Sequence, residues 1–210
     1  MSSRGGYGLN DMPADLEPAA QKLTTLVIGV SDDQLELPTP CPDYRVGDPL
    51  DHIASLARVF TWCAEKDLVA LADRPPFGNA ARLADDWRPQ ISHDLGDMAR
   101  AWNDPSAWEG MSRVGGADTP GEVCGMIGLE ELVVHVWDIA RSSGQELRAD
   151  RASLEGALAA LQMFQQPGVD PAPGSPFGKV IDVPDDAAFL DRVVALSGRN
   201  PNWSPDEESA

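Results

Sequence analysis

Residues 119–144 read TPGEVCGMIGLEELVVHVWDIARSSG, and this stretch decides the fold class. Thr119-Pro120-Gly121-Glu122 opens it as a helix start, Gly144 closes it as a helix stop, and Arg141 in the last turn complements the helix dipole. At 100° per residue, Glu131, His135 and Asp138 fall within about 60° of one another. They share that stripe with Cys124, Ile127 and Gly128. A carboxylate and an imidazole one turn apart thus face the same way from a long helix.

Working outward, Asp48-Pro49 supplies an N-cap and a first-turn proline to a helix predicted to run to about Ala72, with Leu50, Ile53, Ala57, Phe60 and Ala64 recurring on its apolar side. His52 lies beside Leu56 and Val59 on that side or its flank. An earlier helix is predicted from Pro13 to Gly29, on the spacing of Leu16, Ala19, Leu23, Leu26, Val27 and Val30. The connection Ser31–Gly47, with Pro38, Pro40 and Pro42 around Cys41, reads as stiff and ordered. A third helix is predicted from Asn79 to Trp102, kinked or split at Pro89, and a fifth from Arg151 to Gln166. A proline-rich loop, Pro167–Pro184, leads to a short helix over Asp185–Leu196 stopped by Gly198. Val180–Val183 is at most one short extended segment.

The expectation is an all-α protein, an antiparallel four-helix bundle with an additional C-terminal helix and long loops, the second and third connections serving as crossovers or lids. Residues 13–203 form the single domain, between a flexible start (1–12) and an acidic disordered tail (204–210).

Composition narrows the function. The 210 residues are 42% apolar and 24% charged, which suits a globular domain. Acidic residues outnumber basic ones 34 to 16, the net charge is -18, and no basic cluster occurs. Nucleic-acid and polybasic membrane binders are disfavoured. No run approaches the ~18–20 apolar residues of a membrane span, and the start Met1-Ser2-Ser3-Arg4-Gly5-Gly6 lacks the apolar run of a secretory signal, so a cytoplasmic location is expected. Cys41, Cys63 and Cys124 are widely spaced and read as reduced thiols, with Cys41 packing its loop and Cys124 buried as a small hydrophobe. Trp62, Trp87, Trp102, Trp137 and Phe60 read as core, or as walls of a pocket for an apolar or aromatic substrate.

Two neutral imidazoles and a carboxylate suit a divalent metal in a bundle and leave positions open for water or substrate, which makes His52, Glu131 and His135 the candidate ligands. Asp138 would stand behind them or act on the substrate. The same spacing also suits a surface ion pair or a hydrogen-bonded core histidine. His93, among polar residues, is expected to face solvent.

Three blocks carry a family resemblance. They are Pro40-Cys41-Pro42-Asp43-Tyr44-Arg45-Val46 with Asp51-His52-Ile53, then Glu131-Leu132-Val133-Val134-His135-Val136-Trp137-Asp138-Ile139-Ala140-Arg141, and Leu196-Ser197-Gly198-Arg199-Asn200-Pro201-Asn202-Trp203. Together they resemble the actinobacterial relatives of mycothiol-dependent maleylpyruvate isomerase within the DinB-like superfamily, over most of the chain from Leu16 to Trp203. The resemblance implies a DinB-like four-helix bundle holding one divalent metal through His52, Glu131 and His135, zinc first, with nickel or iron as alternatives. It also implies mycothiol as a thiol cosubstrate and an active-site role for Asp138. The isomerase has a separate C-terminal domain that contributes a basic residue, whereas about sixty residues follow the fourth helix here. Arg141, or Arg45 in the proline loop, is the candidate for that anion or cofactor contact, and a helix-terminal cation is the alternative for Arg141.

The reading is a metal-dependent thiol transferase or isomerase acting on a small electrophilic metabolite, as a monomer or homodimer. The alternatives are a thiol-independent metal-dependent hydrolase, lyase or cyclase, and a non-catalytic binding bundle.

Overall fold

The computed structural model describes residues 14–72, 77–171 and 177–205. In them α1 spans Glu17–Gly29, α2 Gly47–Glu65 and α3 Trp87–Trp102; a hairpin of β1 (Met111–Val114) and β2 (Ala117–Pro120) precedes α4 (Gly121–Ser143), α5 (Arg151–Phe164) and α6 (Phe189–Leu196). The expected all-helical bundle is present, with one small hairpin added. The predicted start (1–12) and residues 206–210 of the predicted tail lie outside the described residues. No described helix is long and apolar enough to cross a membrane.

α3 packs on α1 and α2, and α4 packs on the same two, so the four helices close a ring in the order α1, α3, α2, α4. The α1–α2 and α3–α4 connections therefore cross the diagonal. Of the two connections expected to be crossovers or lids, the third crosses and the second joins neighbours. α5 lies against α4, and α6 against α5. Being covered on several sides, α4 is buried without a break from Leu132 to Ala140, as an apolar run with few polar interruptions requires. Leu23, Leu26, Leu50, Ile53, Ile91, Leu95 and Leu129 fill the centre.

Aromatic packing closes one end. Trp102 Nε1 donates to the Phe60 carbonyl (3.0 Å), and Trp108 Nε1 donates to the Trp102 carbonyl (2.8 Å). Gly125 of α4 admits both rings, since a Cβ there would lie 2.5 Å from Trp108 and 2.7 Å from Trp102. Trp87, Trp102 and Trp137 are thus core residues, whereas Phe60 serves both the core and a cavity wall.

Several boundaries differ from the sequence expectation, each for a local reason. α1 begins at Glu17 with Pro18 in its first turn, and Pro13 lies outside the described residues. α2 begins at Gly47, because the Asp48 carboxylate accepts the backbone N–H groups of Arg45 and Ala80 (both 2.8 Å) and so ties two loops together. It stops at Glu65, well short of Ala72, where Lys66 turns left-handed (φ 61°) and sends its ammonium to the Ala107 carbonyl. The third predicted helix is divided. Asn79 caps a 3-10 turn over Ala80–Arg82, and α3 starts only at Trp87. Pro89 then falls in the first turn, where its missing N–H breaks no helical bond. α6 starts at Phe189 instead of Asp185, and α5 ends at Phe164.

The hairpin was not expected. Its strands pair Met111 with Pro120 and Val114 with Ala117, and Gly115 and Gly116 turn between them with φ of 57° and 81°. It is pinned to the end of α2: Ser112 Oγ donates to the Cys63 carbonyl (2.8 Å), and Cys63 Sγ donates to the Arg113 carbonyl (3.0 Å).

Candidate metal centre

α2 and α4 are neighbours in the ring, and their inward polar groups meet. One ligand atom each from His52, Glu131 and His135 lie within 4.8 Å of one another. The two imidazoles stand edge to face, with centroids 5.1 Å apart and planes at 81°. His135 Nε2 is 3.2 Å from Glu131 Oε2, and its Nδ1 is 3.0 Å from Asp138 Oδ2. Behind Asp138 stands Arg199, whose Nε reaches Oδ1 at 2.8 Å and whose terminal nitrogen reaches Oδ2 at 2.9 Å.

α2 is held in register for this by Asp51, one residue before His52. Its carboxylate accepts the Asn79 backbone N–H (2.9 Å) and the Arg82 guanidinium (2.6 Å), which draws the 77–82 segment against the start of the helix.

The environment separates the two histidines electrically. Burial, reinforced by His135, lowers the His52 pKa to about 4, so this imidazole is neutral. Burial also acts against charge on His135, but the hydrogen bonds it donates to Asp138 and Glu131 outweigh it and raise its pKa to about 9. Burial would raise both carboxyls. Arg199, then His135, hold Asp138 below the usual range, and His135 does the same for Glu131.

The donor set fits a divalent ion. His52 offers a neutral nitrogen, Glu131 a carboxylate, and His135 an Nε2 whose ring is fixed by the Asp138 contact at Nδ1, the usual support for a metal-binding histidine. Zinc, nickel and iron all accept such nitrogen and oxygen donors.

This cluster forms the floor of a cavity of about 1560 Å³. Two floor residues escaped the sequence reading. Glu130 is buried beside the ligands, and burial, then Glu131, push its carboxyl up to about 8. Its only sequence signal was the Glu130-Glu131 doublet. Arg199 lay inside the Leu196–Trp203 block, with nothing in the spacing to bring it to α4. Arg141, the expected cofactor contact, is not brought to the cavity. It is exposed, donates to the Pro201 carbonyl (3.1 Å) and lies 5.7 Å from the Trp137 ring centroid. Arg45 is exposed on its loop and is not among the cavity residues. Cys124 is buried in the core, Cys41 lines the cavity, and His93 is exposed. Burial, then Asp138, raises the Cys41 thiol pKa.

The chain is similar to several known proteins. The uncharacterized proteins MT0763 and Rv0738 of Mycobacterium tuberculosis are each 26% identical to it over 184 residues, 86% of this chain and 93% of theirs. Crystal structures of the mycothiol-dependent maleylpyruvate isomerase, one of them a histidine-to-alanine mutant, share the fold with a TM-score of 0.56 at 13% identity, over 76% of this chain and 70% of that one. Residues 16–140 match the family described as mycothiol maleylpyruvate isomerase N-terminal domain. That match takes in α1 to α3, the hairpin and α4 as far as its ligand residues, and the chain belongs to this family.

Proposed function

We propose that the protein is a metal-dependent enzyme that uses a thiol cosubstrate, mycothiol, to transfer to or isomerise a small electrophilic metabolite. The observation that carries this reading is the convergence of His52, Glu131 and His135 on the floor of a cavity large enough for a thiol and a second molecule. A divalent ion bound there would lower the pKa of a coordinated thiol and present it as a nucleophile.

The chain's own residues prepare that chemistry. His52 supplies an uncharged nitrogen because burial and His135 keep it neutral. Asp138, with its oxygens engaged by Arg199 and His135, acts through His135 and not on the substrate. It fixes the ring so that Nε2 faces Glu131 and the cavity. Arg199 comes from the segment after α6 and brings a cation to the site from the C-terminal side. Val134, Ile127 and Val59 wall the floor with apolar groups, which limits water around the reacting atoms.

The test is elemental analysis of untagged protein prepared without chelator, with His135→Ala as control, followed by a mycothiol conjugation screen. About one divalent ion per chain, lost in the control, together with mycothiol-dependent turnover, is the expected result. Turnover that ignores mycothiol would move the protein to metal-dependent hydrolysis, lyase or cyclase chemistry. No ion after reconstitution would overturn the reading.

A further inference from the structure

We infer that the second molecule in this cavity is an uncharged electrophile with an aromatic or extended hydrocarbon arm, and that small dianionic acids are poor occupants. The inference rests on the proposed function for the word electrophile; the remainder comes from the cavity itself.

Size is the first argument. At about 1560 Å³ the space exceeds the ~300–1,000 Å³ usual for small-ligand pockets. A four-carbon diacid would occupy a small part of it and leave the rest to water against hydrocarbon.

The distribution of polarity is the second. The buried charged groups gather on the floor; above them Leu56, Val59, Val114 and Ile127 supply apolar wall, alongside polar residues such as Tyr44 and Gln165. At the mouth Phe77 is 70% exposed, Phe164 48% and Val169 57%. Phe164 stacks on Phe177, with centroids 6.2 Å apart and planes at 21°. Single exposed apolar residues are ordinary, but several around one opening make a surface that an apolar ligand would cover. Phe77 is also held in place, since its carbonyl accepts from the Arg82 guanidinium that Asp51 clamps.

Charge is the third. Among the described residues, the arginines lining the cavity are Arg113 and Arg199. Arg113 is engaged through two nitrogens by Asp118 (2.9 and 2.6 Å), and Arg199 through two by Asp138. Each guanidinium thus already has its charge matched by a carboxylate. Glu130 and Glu131 stand against the charge of any divalent ion, and Asp43 and Asp170 sit at the lining, the latter already paired with Lys179. A dianion entering this cavity would have to share a guanidinium that Asp118 or Asp138 already neutralises.

The experiment compares 2-acetylnaphthalene, a neutral aromatic ketone, with maleate, by calorimetry or ligand-observed NMR on the full chain, both metal-free and metal-loaded. The expected result is that acetylnaphthalene binds at least about tenfold more tightly than maleate in both forms. Phe77→Ala and Phe164→Ala should each weaken the naphthyl ligand about three- to tenfold while leaving the bound metal unchanged. Both positions are substantially exposed, so folding should survive either change. Maleate binding equal to or tighter than that of the ketone, or naphthyl binding indifferent to both substitutions, would overturn the inference. Naphthyl binding in a chain that takes up no metal would sink the enzyme reading alone; stoichiometric metal with a preference for maleate would sink the substrate class alone.

Discussion

Arg199 holds Asp138 by two nitrogens, at 2.8 and 2.9 Å, from a segment that follows α6 and lies far along the chain from α4. The pair is nearly sealed from solvent, and Asp138 uses its remaining capacity on His135 Nδ1 at 3.0 Å. The segment after α6 is thereby bolted to His135 through one carboxylate.

Replacing the cation should therefore strand that carboxylate. Arg199→Met is expected to cost about 3–5 kcal/mol, the usual result of breaking a buried ion pair from one side. It should also weaken metal binding about 10–100-fold by loosening His135. Urea unfolding and a competitive chelator titration measure the two effects. Unchanged values in both would show that Asp138 does not depend on Arg199.

A second prediction concerns protons. In the metal-free chain His135, raised to about 9, and Glu130, raised to about 8, both carry protons at pH 7, whereas His52, lowered to about 4, does not. An incoming ion must displace the His135 proton and will draw Glu130 back toward its ordinary range. Uptake at pH 7 should release about one to two protons per ion, read by calorimetry in buffers of different ionisation heat. Zero release would mean that His135 is already neutral.

Stability of the metal-free chain follows by linkage. His135 and Glu130 hold protons in the folded state that the unfolded chain gives up, so their contribution is lost as pH rises toward about 9. Asp138 and Glu131, with lowered pKa values, contribute stability that is lost as pH falls below the carboxylate range. His52 contributes stability that is lost as pH falls from 6.5 through about 4. The urea midpoint of chelated protein should fall on both sides of a maximum near pH 5 to 7. A flat profile up to pH 9 would contradict the ion-pair arrangement.

The hairpin turn gives a fourth prediction. Gly115 and Gly116 both have positive φ, the pattern of a tight hairpin turn in which Asn-Gly is well accepted. Gly115→Asn should leave stability within about 0.5 kcal/mol, while Gly116→Val should cost about 1–3 kcal/mol through a strained left-handed backbone. Chemical unfolding of both variants tests the contrast.

Close packing gives a fifth. Gly125→Leu would drive a side chain into the Trp102 and Trp108 rings, and a loss of about 1–3 kcal/mol or more is expected, with altered near-ultraviolet circular dichroism from the displaced indoles. A variant as stable as the parent would mean that the two indoles have room to move.

The parts of this arrangement visible in the sequence were those governed by one helix. Glu131, His135 and Asp138 share a stripe because of helical periodicity alone, and His52 follows a proline-marked helix start. Arg199 was hidden because an ion pair between distant segments leaves no period. The end of α2 was hidden because the left-handed position is occupied by Lys66 and not by glycine. The hairpin strands, Met111–Val114 and Ala117–Pro120, lack alternating β-branched residues, and only the Gly115-Gly116 pair between them marked a turn. Helix order around the ring depends on which faces meet, which periodicity does not specify.

That ring order shapes how the chain emerges from the ribosome. α1, α2 and α3 can assemble as they appear, yet the position between α1 and α2 stays vacant until α4 has been synthesised, leaving Leu23, Ile53 and Phe60 uncovered in the meantime. A nascent chain arrested before Gly121 would present an open apolar trough and, of the three candidate ligands, His52 alone, a natural client for chaperones. Arrival of α4 seals the trough and delivers Glu131 and His135 to His52 in one event, before α5, α6 and Arg199 have been made.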